Sequence, residues 1–349
     1  MTKKNLKKLL FILIILNIFW TNLYIYSSKN GGISFSNLNN IQNKKTFLFR
    51  EDKNINNLNN KKPINISLSL DNSHIYPSLI VMTSALENND KDKHILIFYL
   101  LVSNDFDDNN LEIFESLKLK YDVRINYYYM INFFNNLIKW RGSNAIYYKL
   151  FIPILFPFIE RMIHLDGDTI VFKDLWEMFN LPFNDNYFLA QRTVIGAFKD
   201  KGLKKNPVNV GVMLINIKKI REVNIDYEII HYLFTKKTTE QMSVNLVCLE
   251  KIGYLPFRYG IFFIGDIKTF VTQIEDKMME RVNLTEVKEA MEDPSIVHEL
   301  FCAPKHWEKE TKAYSGKNDW CKNYQNIFYF YANKTNYYRK IYNKYMEKL

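Results

Sequence analysis

The chain has 349 residues, 47% of them apolar and 15% aromatic, enough for a sizeable buried core and too apolar for a disordered protein. Its formal charge of +10 is concentrated at one end: residues 1–62 hold 11 of the 47 basic and 2 of the 37 acidic side chains, so residues 63–349 are nearly neutral. Nucleic-acid binding thereby loses its electrostatic support. Three scattered cysteines, Cys248, Cys302 and Cys321, are too few for a disulfide framework or a cysteine-based zinc site. One pair could bridge in an oxidising compartment, and a buried thiol is expected for at least one of the three.

Lys3, Lys4, Lys7 and Lys8 precede an apolar run from Leu9 to Tyr26, interrupted by Asn17, Thr21 and Asn22. That length and its basic flank predict a signal anchor with a cytoplasmic amino terminus and a translocated body, residues 1–28 forming tail and anchor. Cleavage near Ser27-Ser28 and a buried helix are the alternatives. Residues 29–62, ten of them asparagine, read as a flexible stalk.

Folded sequence is expected from residue 63. Ile64 to Leu70 alternates as a strand and ends at Asp71-Asn72-Ser73. A helix over Ser78–Leu86, a strand over His94–Val102, a helix over Leu111–Lys120 and a strand over Val123–Tyr129 follow. That alternation predicts an α/β fold with a parallel sheet and right-handed crossovers. Ala145 to Phe156 reads as one apolar helix that delivers the chain to Met162, Ile163 and Leu165, the end of a buried strand. Beyond it, Trp176–Phe179 packs locally, while Tyr187–Gln191 and Val208–Asn216 read as strands. Helices are expected over Asp226–Phe234 and Glu240–Glu250. The tail from Trp320 to Tyr345 is dense in tyrosine and lysine, and its roughly helical spacing favours a docking helix over base stacking or membrane contact.

Chemistry concentrates at Asp166-Gly167-Asp168. Strand ends in open α/β sheets are where ligands bind. Two hard oxygen ligands at i and i+2 suit Mg²⁺ or Mn²⁺, and such a cation suits a diphosphate. Gly167 is expected to allow a sharp turn and a close approach. A solvated Asp-Gly turn between two strands fits the tripeptide equally well, so the rest of the chain has to decide.

Several ordered blocks do so. Ile64 to Asn88, Tyr147-Tyr148-Lys149-Leu150 with Pro153 and Pro157, Asp166-Gly167-Asp168, Asn209-Val210-Gly211-Val212-Met213-Leu214-Ile215-Asn216, Glu240-Gln241-Met242-Ser243-Val244-Asn245, and His298 with Lys305 and Trp307 together resemble glycosyltransferase family 8 over residues 63–310. The resemblance implies a GT-A fold: a Rossmann-like, mixed, mostly parallel sheet flanked by helices. It also implies a retaining, metal-dependent transfer of a hexose, glucose or galactose, from a UDP-sugar to a glycan, lipid or protein acceptor. By resemblance, Asp166, Asp168 and His298 are the ligands of Mn²⁺ or Mg²⁺. Asp71, Ser73, His74, Lys149, Asp166, Gly167 and Lys305 are the nucleotide and diphosphate contacts. Asn209, Glu240 and Gln241 are the donor-sugar positions, with Gln241 on the reacting face. Lys149 stands where the family usually has arginine, and Glu240 where it has aspartate. His298 and Lys305 are seven apart rather than six, with no glycine between them, and His306 replaces a proline.

Residues 311–349 are expected to form a helical extension packed on this domain. A translocated body implies the lumen of the Golgi or endoplasmic reticulum, or a bacterial cell envelope. The sequons Asn283-Leu284-Thr285 and Asn333-Lys334-Thr335 fit the former. Two other readings compete: a catalytically weak sugar- or partner-binding module of the same fold, and an Asp-x-Asp phosphatase of the haloacid dehalogenase class. Against the phosphatase, Ile170 occupies that motif's diagnostic place, and about 100 folded residues precede it. The donor hexose, acceptor, linkage and oligomeric state are not written in the sequence.

Overall fold

The computed structural model describes residues 49–50, 60–130, 134, 137–139, 142–193, 206–261, 283–299 and 319–345. The expected anchor, nearly all of the expected stalk, and Lys305, His306 and Trp307 lie outside the described residues. Among the described residues no helix is long and apolar enough to cross a membrane.

Eleven strands occur among the described residues: β1 (Phe49–Arg50), β2 (Lys62–Leu70), β3 (His94–Ser103), β4 (Val123–Met130), β5 (Arg161–Leu165), β6 (Thr169–Val171), β7 (Phe188–Arg192), β8 (Val208–Asn216), β9 (Ile252–Tyr254), β10 (Tyr259–Ile261) and β11 (Ile296–His298). Eight form one mixed sheet in the order β1-β4-β3-β2-β5-β8-β7-β9, and a second sheet runs β10-β11-β6. β4, β3, β2 and β5 are mutually parallel. β8 runs antiparallel to both β5 and β7. β3 is buried along its whole length, which is why it reads as a continuous apolar run. Phe49–Arg50, within the stretch read as stalk, pairs as an edge strand with β4.

The helices are α1 (Ile75–Glu87), α2 (Leu111–Glu115), α3 (Ile152–Leu155), α4 (Trp176–Phe179), α5 (Ile217–Val223), α6 (Ile225–Lys236), α7 (Glu240–Cys248), α8 (Leu284–Glu292), α9 (Asp319–Ala332) and α10 (Tyr338–Tyr345). α1 crosses from β2 to β3 and buries all but Tyr76 and Glu87, because the carboxyl-terminal helices cover its outer side. Tyr331 on α9 bonds Asn88 just past the end of α1, and Tyr345 on α10 meets the Tyr76 ring edge-on at 6.2 Å.

Three predicted helices differ in form. Ala145–Phe151 is a 3-10 helix, and the α-helix restarts at Ile152 with Pro153 in its first turn. Proline lacks the N–H that a continuous helix would need there, whereas a first turn tolerates it. The Leu111–Lys120 helix is a single α-turn between 3-10 segments. The tyrosine-rich tail is two helices, divided by a turn in which the Thr335 hydroxyl donates to the Ala332 carbonyl and accepts from the Tyr337 N–H. Cys248 is buried in α7, and burial pushes its thiol well above the ordinary range, so it is an inert core residue.

Candidate active site

Asp166 and Asp168 lie in the tight turn between β5 and β6. The Thr169 N–H and hydroxyl both donate to the Asp166 carbonyl, at 3.2 and 2.9 Å, and close it. β8 lies against β5, so the Asp166 N–H donates to the Gly211 carbonyl at 2.7 Å. His298 arrives from 130 residues away by strand pairing. β11 runs antiparallel to β6 with His298 opposite Thr169, which sets the imidazole beside Asp168. His298 Nε2 is 3.0 Å from Asp168 Oδ1, and ligand atoms of Asp166, Asp168 and His298 all lie within 4.8 Å of one another.

Gly211 makes this convergence possible. A Cβ there would stand 2.2 Å from His298 Cε1 and 2.7 Å from Asp166 Oδ2. Gly167, the glycine that stands out in sequence, is different. Its φ is not left-handed, and a Cβ would meet Ser78 Oγ at an ordinary 3.4 Å. Among the described residues, the close approach of side chains at this site is at Gly211.

Asp166 is held from behind by two cationic or polar groups. Lys149, buried at the inner face of the 3-10 helix, places Nζ 2.6 Å from Asp166 Oδ1 and 3.1 Å from the Val210 carbonyl. The fully buried His164 sets Nε2 3.1 Å from the same oxygen and Nδ1 3.0 Å from the Ser67 hydroxyl on β2. Burial, reinforced by the Lys149 charge, pushes His164 down to about 4. The ring is therefore neutral at pH 7, with Nε2–H donating to Asp166 and Nδ1 accepting from Ser67. Burial alone would raise the Asp166 carboxyl; the Lys149 charge and the His164 hydrogen bond instead hold it well below the usual range.

The loop after β2 forms its own cluster. Asp71 Oδ1 accepts from the Ser73 N–H at 2.9 Å, from the Ser73 hydroxyl at 2.5 Å and from His74 Nδ1 at 2.9 Å. Burial opposes ionisation of both partners, but their mutual attraction wins: Asp71 is held low and His74 is raised, with Asp168 and Asp166 adding to the latter. The same field joins this loop to the carboxylate turn.

On the other side, Asn209 and Gln241 are linked by a 3.2 Å hydrogen bond, and Asn209 Oδ1 accepts from the Gly211 N–H at 2.8 Å. Asn245 ties α7 to β8, donating to the Val208 carbonyl and accepting from the Val208 N–H. Glu240 sits in the first turn of α7, 8% exposed, and its Oε2 has no hydrogen-bond partner among the described residues. Burial pushes it up to about 7, against the pull of Lys149 and with the push of Asp166.

The structure thus gathers Asp166, Asp168, His298, Lys149, Asp71, Ser73 and His74 into one electrostatic neighbourhood, with Asn209, Glu240 and Gln241 on the flank formed by β8 and α7. Ser67 and His164 were missed by sequence reasoning. His164 is a lone polar residue in the apolar end of β5, whereas Ser67 reads as one of the polar positions of an alternating β2; the two are register partners across β2 and β5. Two carboxylate oxygens and an imidazole nitrogen form an oxygen-rich donor set for a hard or borderline divalent cation, and the glycine cradle leaves them room.

Comparison with known proteins agrees with this geometry. The Glycosyl transferase family 8 profile matches residues 65–311. A putative glycosyltransferase of Haemophilus influenzae is 26% identical over 180 residues, covering 48% of this chain and 50% of its own. The lipopolysaccharide 1,2-glucosyltransferase of Escherichia coli is 26% identical over 248 residues, covering 64% and 68% respectively. The chain therefore spans half the length of the first relative. The crystal structure of the galactosyltransferase LgtC with donor and acceptor sugar analogues superposes with a TM-score of 0.57 at 15% identity, over 78% of this chain and 96% of that one. That likeness shows the mixed α/β architecture of GT-A glycosyltransferases. The chain belongs to glycosyltransferase family 8.

Proposed function

We propose that this enzyme transfers a hexose, glucose or galactose, from a UDP-sugar to a glycan, lipid or protein acceptor with retention of configuration. The observation that carries the reading is the meeting of Asp166, Asp168 and His298 over Gly211 at the carboxyl end of a parallel strand. These three residues would hold a divalent cation, Mn²⁺ or Mg²⁺. When bound, that cation supplies Lewis-acid stabilisation of the negative charge on a diphosphate leaving group.

The chain's own residues supply the rest. Lys149 and His164 hold Asp166 Oδ1 from behind, while Oδ2 lies on the Gly211 side. Asp71, Ser73 and His74 line the loop for the base and ribose, and Lys305 would contact the diphosphate. Asn209 and Gln241, already bonded to each other, would orient the hexose, with Gln241 on its reacting face. Glu240, pushed up to about 7 by burial, can donate to or accept from a sugar hydroxyl. The names of the two hexosyltransferases quoted above support glucose or galactose as the transferred sugar. The apolar segment 9–26 would anchor the enzyme in a membrane, with the stalk and the domain on its translocated side. The competing readings gain no support from the family match, which covers the domain that carries the site.

The test is nucleoside diphosphate release by the full chain from a panel of UDP- and GDP-sugars, with and without Mn²⁺, alongside Asp168→Asn. Metal-dependent release from one UDP-hexose, lost in the variant, is the expected result. Metal-independent release, release from GDP-sugars alone, or activity retained in Asp168→Asn would overturn it.

A further inference from the structure

The family match ends at residue 311, yet the helix that follows reaches the metal-ligand turn. Tyr324 on α9 is 1% exposed, and its hydroxyl donates to the main-chain carbonyl of Asp168 at 3.0 Å. The same carbonyl accepts from the Glu299 N–H at 2.8 Å, so two donors grip one peptide oxygen. One comes from the residue after His298 and the other from outside the family-defining segment. This carbonyl belongs to the peptide between Asp168 and Thr169, whose orientation sets the direction of the Asp168 side chain relative to His298.

We propose that Tyr324 is a positioning residue for the metal site, and that α9 works as a brace without which the turn from Asp166 to Thr169 holds its ligands more loosely. The rest of α9 explains how a tyrosine is kept in place there. Phe328 is 1% exposed and lies in the core one turn further along. Another turn on, the Tyr331 hydroxyl accepts from Asn88 Nδ2, which also donates to the Val171 carbonyl at 3.0 Å. α9 therefore contacts both ends of the β6 hairpin arm: its start directly, at Asp168, and its finish through Asn88, at Val171. Only the first contact lies at a metal ligand. This difference separates positioning from ordinary packing.

The inference rests on the reading of Asp166, Asp168 and His298 as a cation site, and the experiment is built to fail separately from it. Tyr324→Phe removes the hydroxyl and keeps the ring, while Tyr331→Phe removes a hydroxyl on the same helix away from Asp168. Two quantities are measured on the full chain: Mn²⁺ affinity by titration calorimetry, and amide hydrogen exchange of the segment 164–172 without metal. Tyr324→Phe is expected to weaken Mn²⁺ binding about three- to tenfold, as losing one buried hydrogen bond to the turn implies. It should also speed exchange at Thr169 and Ile170 by a similar factor. Tyr331→Phe should lower the melting temperature comparably while leaving Mn²⁺ affinity within twofold. Unchanged exchange in Tyr324→Phe, or an equal loss of affinity in Tyr331→Phe, overturns the proposal. If the wild type binds no Mn²⁺, the cation reading fails, and the exchange measurement alone decides whether the brace exists.

Discussion

The glycine at position 211 gives the most direct test of how the site is assembled. In Gly211→Ala the new methyl would lie 2.2 Å from His298 Cε1 and 2.7 Å from Asp166 Oδ2. Carbon atoms prefer about 3.5 Å or more, so the imidazole must retreat by about 1.3 Å or the β5–β8 ladder must part. The ladder is anchored by the Asp166 N–H to Gly211 carbonyl bond and by five register pairs, so the ring is the softer element. Overpacking of this kind costs about 1–3 kcal/mol of stability. Metal sites tolerate displacements of only about 0.2 Å, so the functional loss should be larger, about 100-fold or more in Mn²⁺ affinity. Gly167→Ala is the internal control: among the described residues its methyl meets nothing closer than 3.4 Å, and its effect on both stability and affinity should be within about twofold. Titration calorimetry with Mn²⁺ and chemical denaturation of the two variants give both readouts. Wild-type Mn²⁺ affinity in Gly211→Ala, or greater damage from Gly167→Ala, would refute the reasoning that the site is sized by Gly211.

The buried relay behind Asp166 and the carboxyl on α7 yield further expectations. His164→Phe keeps the shape of the ring but takes a hydrogen bond from the carboxylate, which should lower stability by about 1–3 kcal/mol and metal affinity about 10-fold or more; Ser67→Ala, one bond further back, should do less, and the reverse ranking by calorimetry would contradict the relay. Glu240 is raised from 4.5 to about 7, so the folded state binds its proton more tightly than the unfolded chain does. The stability this provides is fully present below about pH 4.5 and is lost as pH rises to about 7, a change of about 3 kcal/mol at 1.36 kcal/mol per pH unit. Glu240→Gln, which cannot ionise, should therefore gain stability relative to wild type as pH rises through that window; parallel curves in thermal melts from pH 4.5 to 8 would show that Glu240 is not held neutral.

Much of this was legible in sequence because the features are local. β8 was bounded correctly because nine residues in a row, Val208–Asn216, are apolar apart from Asn209, Gly211 and Asn216, and each of those exceptions has a structural task. His298 was identified by resemblance rather than by physics. What brings it to Asp168 is a three-residue pairing of β6 with β11, too short to leave a periodicity; the sequence reading offers a strand after the Asp-Gly turn only as an alternative and places none over Ile296–His298. Ser67 and His164 are passed over for the opposite reason: Ser67 reads as an ordinary polar position of an alternating strand and His164 as an imperfection in an apolar one until their pairing is known, and that pairing lies across 97 residues. The glycines make the same point about scale. Gly167 drew attention because it sits between two carboxylates, where local reasoning assigns it a turn, while Gly211 looked like one letter in an apolar run. The space Gly211 preserves is filled by side chains from two other strands, so its role becomes visible only when β5, β8 and β11 are seen together. The residues that set the geometry of the candidate metal site are thus the ones whose partners are distant in sequence. Mutations chosen from the Asp-x-Asp motif alone would remove the ligands and leave untested the elements that aim them.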